Sequence, residues 1–133
     1  MKICVTAIGD NLDADVDPRF GRCKYFLIID LETMNTESIS NDSLMASGGA
    51  GIQAAQTVAK TGASTVITGN IGPNAFQTLS AAGVKVITGI SGSIKDVVDR
   101  FKRGEIKEVN SPSVGSHFGM SGIGRGFRRG ENL

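Results

Sequence analysis

The stretch VITGNIGPNAFQTLSAAGVKVITG, residues 66–89, decides the fold. It begins and ends with the same four residues, a short β-branched run that stops at glycine, and Phe76 and Leu79 lie between them at helical spacing. The proline of Gly72-Pro73 suits the first turn of a helix, where a missing N–H leaves no bond unmade. We therefore predict a strand, a helix and a second strand, which places the two strands parallel with a right-handed crossover.

Further elements are predicted on both sides of this unit. The apolar runs at residues 25–29 and 36–40 are joined by a link so short that the two strands must pair antiparallel. One helix is predicted before Gly62, and another after Ser93, which begins a capping box. The fold class is therefore α/β, a three-layer α/β/α sandwich whose mixed sheet has one antiparallel strand. The leading apolar runs that predict strands are residues 3–8, 25–29 and 36–40.

Composition divides the chain into a domain and a tail. From Asn110 onward glycine, serine and arginine dominate without periodicity, so we predict one domain at residues 1–109 and a flexible tail at residues 110–133. The first residues are typical of a strand rather than a signal peptide, and no apolar run is long enough to span a membrane. With two cysteines, we expect free thiols and a cytoplasmic location.

The distribution of charge favours an anionic ligand at the strand ends. Net charge is only +1, which gives no general preference for nucleic acid or membranes, but no acidic residue occurs from Ser43 to Ile94. Ligands of open α/β sheets bind beyond the carboxyl ends of the strands. Two of those ends, residues 69–72 and 89–92, are glycine-rich and lead directly into helices, whose N-termini favour anions.

Nucleotide motifs do not account for this pattern. The run at residues 49–54 is similar to a dinucleotide fingerprint, but the acidic residue expected about twenty positions later is missing. No Gly-Lys-Ser/Thr follows a glycine loop, so a Walker motif is absent from the sequence. We interpret this glycine run as close packing at the start of a helix.

Acidic residues before the second strand suggest a metal site only weakly. Asp10, Asp13, Asp15 and Asp17 lack EF-hand spacing, because the required glycine is replaced by Pro18. They leave open a small metal-dependent hydrolase acting through the Asp10–Asp17 loop. The single histidine, His117, lies in the tail and completes no Ser–His–Asp set, so catalysis is not expected.

The two cysteines receive different interpretations. Cys4 alternates into a strand core and is interpreted as structural. Cys23 follows Arg19 and Arg22, and neighbouring positive charge is expected to lower its thiol pKa and favour a metal-binding thiolate. His117, near Met120, is a second candidate metal ligand, supplied from the tail.

Three blocks of sequence resemble one known family. Over about residues 1–110 the chain is similar to the dinitrogenase iron–molybdenum cofactor biosynthesis family, which includes NifX, NifY and the C-terminal part of NifB. The resemblance implies a ribonuclease H-like fold and a small stand-alone protein that binds or carries iron–sulfur or iron–molybdenum–sulfur clusters between cluster-donor and acceptor proteins. The blocks are DPRFGRCKYF at residues 17–26, GAGIQAAQ at residues 49–56 and ITGNIGPNAF at residues 67–76.

By position, the resemblance also implies site residues. Arginine stays charged and offers several donors to an anionic sulfide cluster, and a thiolate can ligate iron. The chain lacks the radical-chemistry domain of full-length NifB, so the resemblance implies binding without catalysis. The implied cofactor-binding residues are Arg19, Gly21, Arg22, Gly69, Asn70 and Gly72, with Cys23 and His117 as metal ligands.

A different class of function remains open for the tail. Residues 124–130, GRGFRRG, are similar to a short arginine–glycine arm. Such an arm predicts a nucleic-acid or protein-interaction module whose binding weakens as salt concentration rises.

Overall fold

The computed structural model describes residues 1–42 and 49–106, and the fold consists of five strands and three helices in this part of the chain. The predicted tail, residues 110–133, lies outside the described residues, and so does His117. No helix among the described residues has the length and apolarity needed to cross a membrane. The elements are β1 (Lys2–Ala7), β2 (Tyr25–Asp30), β3 (Thr36–Ser40), α1 (Ala50–Ala59), β4 (Thr65–Ile67), α2 (Pro73–Ala81), β5 (Lys85–Ile87) and α3 (Ile94–Lys102).

The strands form one mixed sheet in the order β3-β2-β1-β4-β5. β2 is antiparallel to both of its neighbours, while β1, β4 and β5 are parallel, as the crossovers predict. Cys4 of β1 pairs with Ile28 on one side and with Val66 on the other, so β1 lies at the centre of the sheet. The predicted single antiparallel strand is therefore confirmed as β2.

The sheet separates two hydrophobic cores, because successive side chains of a strand point to opposite faces. On one face Cys4 and Val66 pack with Ala54 of α1 and Leu79 of α2. On the other face Ile3, Val5 and Ile67 pack with Val97 and Val98 of α3. The described part of the chain is therefore an α/β sandwich, with α1 and α2 in one outer layer and α3 in the other.

The three helices begin differently. Ser93 caps α3, where its side-chain oxygen accepts a hydrogen bond of 3.2 Å from the N–H of Asp96, which confirms half of the predicted capping box. Gly49 and Gly72 precede α1 and α2, and neither helix has a side-chain cap or an acidic residue in its first turn. Of the three described helices, α3 alone therefore has a side-chain cap and an acidic residue at its N-terminus.

Candidate functional site

A groove of about 350 Å³ lies at the end of the sheet where β4 leads into α2. It is bounded by the loop before β2, by the first turn of α1 and by the first turn of α2. Among the described residues that line it there is no acidic side chain, and Arg19 carries the only charge. The lining residues are Arg19, Phe20, Gly21, Gly49, Ala50, Gly51, Ile52, Asn70, Ile71, Gly72, Pro73, Asn74 and Ala75.

Two loops that are far apart in sequence are joined by backbone hydrogen bonds at the groove. Asn70 donates its N–H to the carbonyl of Pro18 at 2.7 Å, and Phe20 donates its N–H to the carbonyl of Asn70 at 3.1 Å. This approach requires glycine at position 69, because a Cβ there would lie 2.6 Å from the Cα of Pro18. Gly69 therefore shapes the groove from beneath rather than lining it.

Small residues also bring the two helices to the loop. A Cβ at Gly21 would lie 3.1 Å from the Cα of Gly51, and a Cβ at Gly51 would lie 3.3 Å from the Cβ of Ala75. The interpretation of the glycine run as close packing is thus correct for Gly51. Since Gly49 and Gly51 also line the groove, the run belongs to the candidate site as well, which the sequence interpretation missed.

The N-termini of α1 and α2 both open onto the groove. The first N–H groups of a helix have no partner within it. In the described part of the chain, no group accepts a hydrogen bond from the N–H of Gly51, Ile52, Asn74 or Ala75. Aligned peptide dipoles give such an end the equivalent of about half a positive charge. Two of these ends and one guanidinium therefore make the groove electropositive.

The N-terminus of α3, which was also expected to favour an anion, is closed. The N–H of Ile94 donates to the carbonyl of Ala14 at 2.9 Å, and that of Lys95 donates to the carbonyl of Leu12 at 3.1 Å. Together with the cap by Ser93, these bonds occupy the first turn. The expectation that residues 89–92 provide an anion site was therefore wrong, because the preceding acidic loop folds over this helix end.

That acidic loop has a structural role. No group of three or more Asp, Glu, Cys or His side chains is placed to hold a metal ion anywhere in the described residues. Asp13 makes only a loose, exposed ion pair of 3.8 Å with Lys95, and Asp17 is buried and turned toward Arg19. The loop carbonyls cap α3 instead, so the geometry does not support a metal-dependent hydrolase at Asp10–Asp17.

Arg19 extends over the groove from a buried carboxylate. Its side chain is 65% exposed, and its Nε lies 3.6 Å from Oδ1 of Asp17, whose side chain is only 3% exposed. The same Oδ1 accepts the backbone N–H of Arg19 at 3.0 Å, which closes an Asx turn. Arg19 is therefore fixed at its base by Asp17 and free to meet a ligand at its end.

Cys23 is a buried neutral thiol in this arrangement. Its Sγ donates to the carbonyl of Phe20 at 3.3 Å, and the side chain of Asn41 donates to the carbonyl of Cys23 at 2.9 Å. Burial, followed by the charge of Asp17, raises the pKa of Cys23 from 9.0 to about 12. The expectation of a lowered thiol pKa was wrong, because Arg19 and Arg22 point outward while Asp17 points inward.

The predicted site residues divide into three groups. Arg19, Gly21, Asn70 and Gly72 line the groove together. Gly69, Arg22 and Cys23 are close in sequence but do not line it. His117 lies outside the described residues, and its role stays a prediction. For the lining residues at the starts of α1 and α2, the missing caps were the available signal. The lining residues that were not named as site residues are Phe20, Gly49, Ala50, Gly51, Ile52, Ile71, Pro73, Asn74 and Ala75.

Comparison with known proteins places the chain in a family. The family described as "Dinitrogenase iron-molybdenum cofactor" matches residues 1–104. The chain belongs to this family. An uncharacterized protein of Methanocaldococcus jannaschii is similar to this chain, with 30% identity over 111 residues. The match covers 81% of this chain and 91% of the relative.

Solved structures agree with this membership of the dinitrogenase iron–molybdenum cofactor family. The apo form of the orange protein from Desulfovibrio gigas is 45% identical, with a TM-score of 0.83 over 85% of this chain and 96% of that one. A NifB-like protein from Thermotoga is 34% identical, with a TM-score of 0.71 over 80% of this chain and 91% of that one. The predicted resemblance is thereby confirmed at the level of family and of α/β fold.

Proposed function

We propose that this protein is a non-catalytic carrier that binds a compact, anionic iron–sulfur or iron–molybdenum–sulfur cluster as cargo in the groove. The observation that carries the proposal is the convergence of two uncapped helix N-termini and Arg19 on one cavity whose described lining contains no acidic residue. Membership of a cofactor family supports the identity of the cargo. We keep the ribonuclease H-like designation of the fold as part of this proposal.

The lining of the groove suits a multiply charged anion. Backbone N–H groups are fixed donors that need not reorganise when an anion arrives, and Arg19 adds a mobile charge. Hydrogen bonds to charged groups contribute about 1.5–3 kcal/mol each. A cavity of about 350 Å³ is at the small end of the usual range for ligand pockets, so it favours a compact guest.

The lining also indicates how a cluster would be held. Among the described lining residues there is no thiol, imidazole or carboxylate. The iron atoms of iron–sulfur clusters are coordinated in proteins by such groups, most often by thiolates. The cargo would therefore be held by hydrogen bonds and charge through its own sulfide shell, and the same lining offers no group to move a proton. Coordination by Cys23 would need its loop to open.

The relatives support a role within cofactor assembly. One structural relative is a NifB-like protein, and another is the apo form of the orange protein. The partners we propose are proteins that donate clusters to this chain or accept them from it. We propose in addition that residues 1–109 suffice for cargo binding, that Arg22 and Cys23 contribute only after their loop rearranges, and that His117 adds a metal ligand without being required.

The test is cargo binding under strictly anaerobic conditions. Protein isolated from its native host is assayed for iron, molybdenum and acid-labile sulfide, and apo-protein is titrated with iron, sulfide and molybdate while the visible spectrum is followed. We expect stoichiometric metal, a charge-transfer spectrum, and a loss of affinity of about tenfold to a hundredfold in Arg19→Gln.

The matched control is Arg100→Gln, which removes the same charge from α3 on the opposite face of the sheet. It should bind cargo as wild type does. Apo-protein that takes up no metal and sulfide, or equal losses in the two variants, would contradict the proposal. A variant truncated after Val109 tests whether the tail is needed.

A further inference from the structure

A buried carboxylate lies directly behind the electropositive groove. Asp17 is almost fully buried, and Oδ1 receives both the backbone N–H of Arg19 at 3.0 Å and the approach of its Nε at 3.6 Å. Its backbone is fixed as well, since its N–H donates to the carbonyl of Thr6 at 2.9 Å. The hydroxyl of Thr6 lies 2.8 Å from the carbonyl oxygen of Asp17 and 2.8 Å from the hydroxyl of Thr68. The position of this carboxylate is thus set by β1 and by the end of β4.

The surroundings of Asp17 do not explain why the residue is charged. In the described part of the chain no donor lies within hydrogen-bond distance of Oδ2. A buried carboxylate oxygen without a donor is costly, and such groups call for an explanation. An Asx turn does not require charge either, because the amide oxygen of asparagine accepts the same N–H. The local hydrogen bonds therefore do not account for a charged residue at position 17.

We propose that Asp17 is a positioning residue that competes with the cargo for Arg19 and thereby keeps binding weak enough for release. This inference rests on the proposed carrier function. In the empty groove the guanidinium of Arg19 is paired with Asp17 at the base of the loop. When an anionic cargo arrives, Arg19 turns its donors to the cargo, and the buried carboxylate is left without its counter-charge.

Two effects of Asp17 oppose each other, and their sizes decide the outcome. Holding Arg19 in place before binding removes part of the entropy cost of ordering one side chain, which favours binding. Turning Arg19 toward the cargo gives up its attraction to Asp17, and that attraction is strengthened by the low dielectric around the buried carboxylate. The lost attraction is the larger effect, so Asp17 weakens binding; direct repulsion between Asp17 and the anion adds a smaller amount, because Asp17 does not line the groove.

The charge of Asp17 also acts on the side chain of Cys23. The same carboxylate contributes to the raised pKa of Cys23, which places its field beneath the loop that carries Arg19. No other acidic side chain among the described residues pairs with Arg19. Asp17 is thus the group that balances Arg19, the one charged side chain among the described residues of the groove.

The experiment compares Asp17→Asn with wild type in anaerobic titrations with tetrathiomolybdate, a compact sulfur-coated dianion with strong visible absorption. Asparagine preserves the turn and removes the charge. We expect binding to tighten on the order of tenfold, with slower dissociation in stopped-flow chase experiments. A purely structural role predicts weaker binding, so the direction alone separates the two readings.

Two controls sharpen the result. Asp13→Asn removes the same charge from an exposed carboxylate that pairs with Lys95, and it should leave affinity unchanged within about twofold. In the Arg19→Gln background, Asp17→Asn should tighten binding less than about threefold, because its competition acts through Arg19. An equal gain in both backgrounds, an unchanged affinity or a weakened one would overturn the proposal.

A second readout does not depend on cargo. The Nε–H resonance of Arg19 in ¹⁵N NMR spectra should show slowed hydrogen exchange in wild type and faster exchange in Asp17→Asn, with Arg100 as the internal reference. Wild-type protein that does not bind tetrathiomolybdate counts against the carrier function. An Arg19 resonance that is the same in both proteins overturns the pairing on which Asp17 acts.

Discussion

The two helical layers of this molecule treat their helix ends in opposite ways. α3 carries charge on five of its nine residues, with acid in its first turn and base in its last, and every N–H of its first turn has a partner. α1 and α2 carry no charged residue, have glycine at their N-caps, and leave first-turn N–H groups open to the groove. The same sheet therefore supports one helix built for its own stability and two whose ends are available to a ligand.

This difference in helix capping indicates the candidate functional site, although the composition of the chain is ordinary. A glycine N-cap such as Gly49 or Gly72 gives up roughly a few tenths of a kcal/mol relative to a good side-chain cap. When two such ends meet at one cavity, the loss is concentrated at a single place. The local rules of helix capping are broken only at the groove in the described chain, and breaks of this kind are expected at functional sites.

The largest effect is expected at the glycines that precede α2 and α3. Gly69→Ala forces a Cβ to within 2.6 Å of the Pro18 backbone, so either the loops separate or the sheet shifts. We expect a loss of about 3 kcal/mol or more in the free energy of unfolding, measured by urea denaturation. Gly92→Ala is the matched control, with φ of 103° but open space around a Cβ, and it should cost about 1–3 kcal/mol. Equal losses in the two variants would show that the close approach does not matter.

A smaller effect is expected at alkaline pH, and in one layer only. The pKa of Cys23 is raised in the folded state, so its stabilising contribution is complete below about pH 9 and is lost as pH rises toward 12. From the 9.0 and 12 values, the free energy of unfolding should fall by about 2 kcal/mol by about pH 10.5. Cys4 acts in the same direction, since burial also raises its pKa.

The buried residues of the α3 core contain no cysteine among those described, so hydrogen exchange should accelerate first beneath α1 and α2. The measurement is amide hydrogen exchange by mass spectrometry between pH 8 and pH 10.5, corrected for intrinsic exchange rates and compared between the two helical layers. The Cys23→Ala variant should show a flatter pH dependence of stability. Simultaneous loosening of both layers would mean that the thiols do not govern the alkaline transition.

The smallest changes in stability are expected from adding an acidic residue to the first turn of α2 or removing one from the first turn of α3. Asn74→Asp adds an acid to the first turn of α2 and should stabilise the fold by about 0.3–1 kcal/mol while it weakens cargo binding. Asp96→Asn removes the acid from α3 and should destabilise by a similar amount with no effect on cargo. Thermal unfolding and anaerobic titration of both variants give the comparison, and a stabilised Asn74→Asp that binds cargo normally would remove the helix ends from the site.

Most of the fold could be predicted because its signals are local. The repeat at residues 66–89 and the short link before β3 specify strand directions within a few residues. Strand ends were less predictable, since Thr68 leaves β4 to meet the hydroxyl of Thr6, 62 residues earlier. The boundary thus depends on a contact that sequence spacing does not reveal.

The site was predictable only in part for the same reason. Arg19 and Asn70 could be named from strand ends and family resemblance, and both line the groove. That Asp17 turns inward while Arg22 is exposed depends on the path of one loop, so the sign of the Cys23 pKa shift could not be read from neighbouring residues. Equally, only the folded chain shows that carbonyls at positions 12 and 14 close α3 and leave α1 and α2 open.

The backbone hydrogen bonds between Pro18, Phe20 and Asn70 affect when the groove can form during protein synthesis. They join segments about fifty residues apart, so on a ribosome the first wall of the groove emerges well before the second. A chain released before α2 is complete lacks the second wall of the groove. For the carrier that we propose, cargo capture is then a property of finished molecules alone, and a reactive cluster does not meet a half-formed groove.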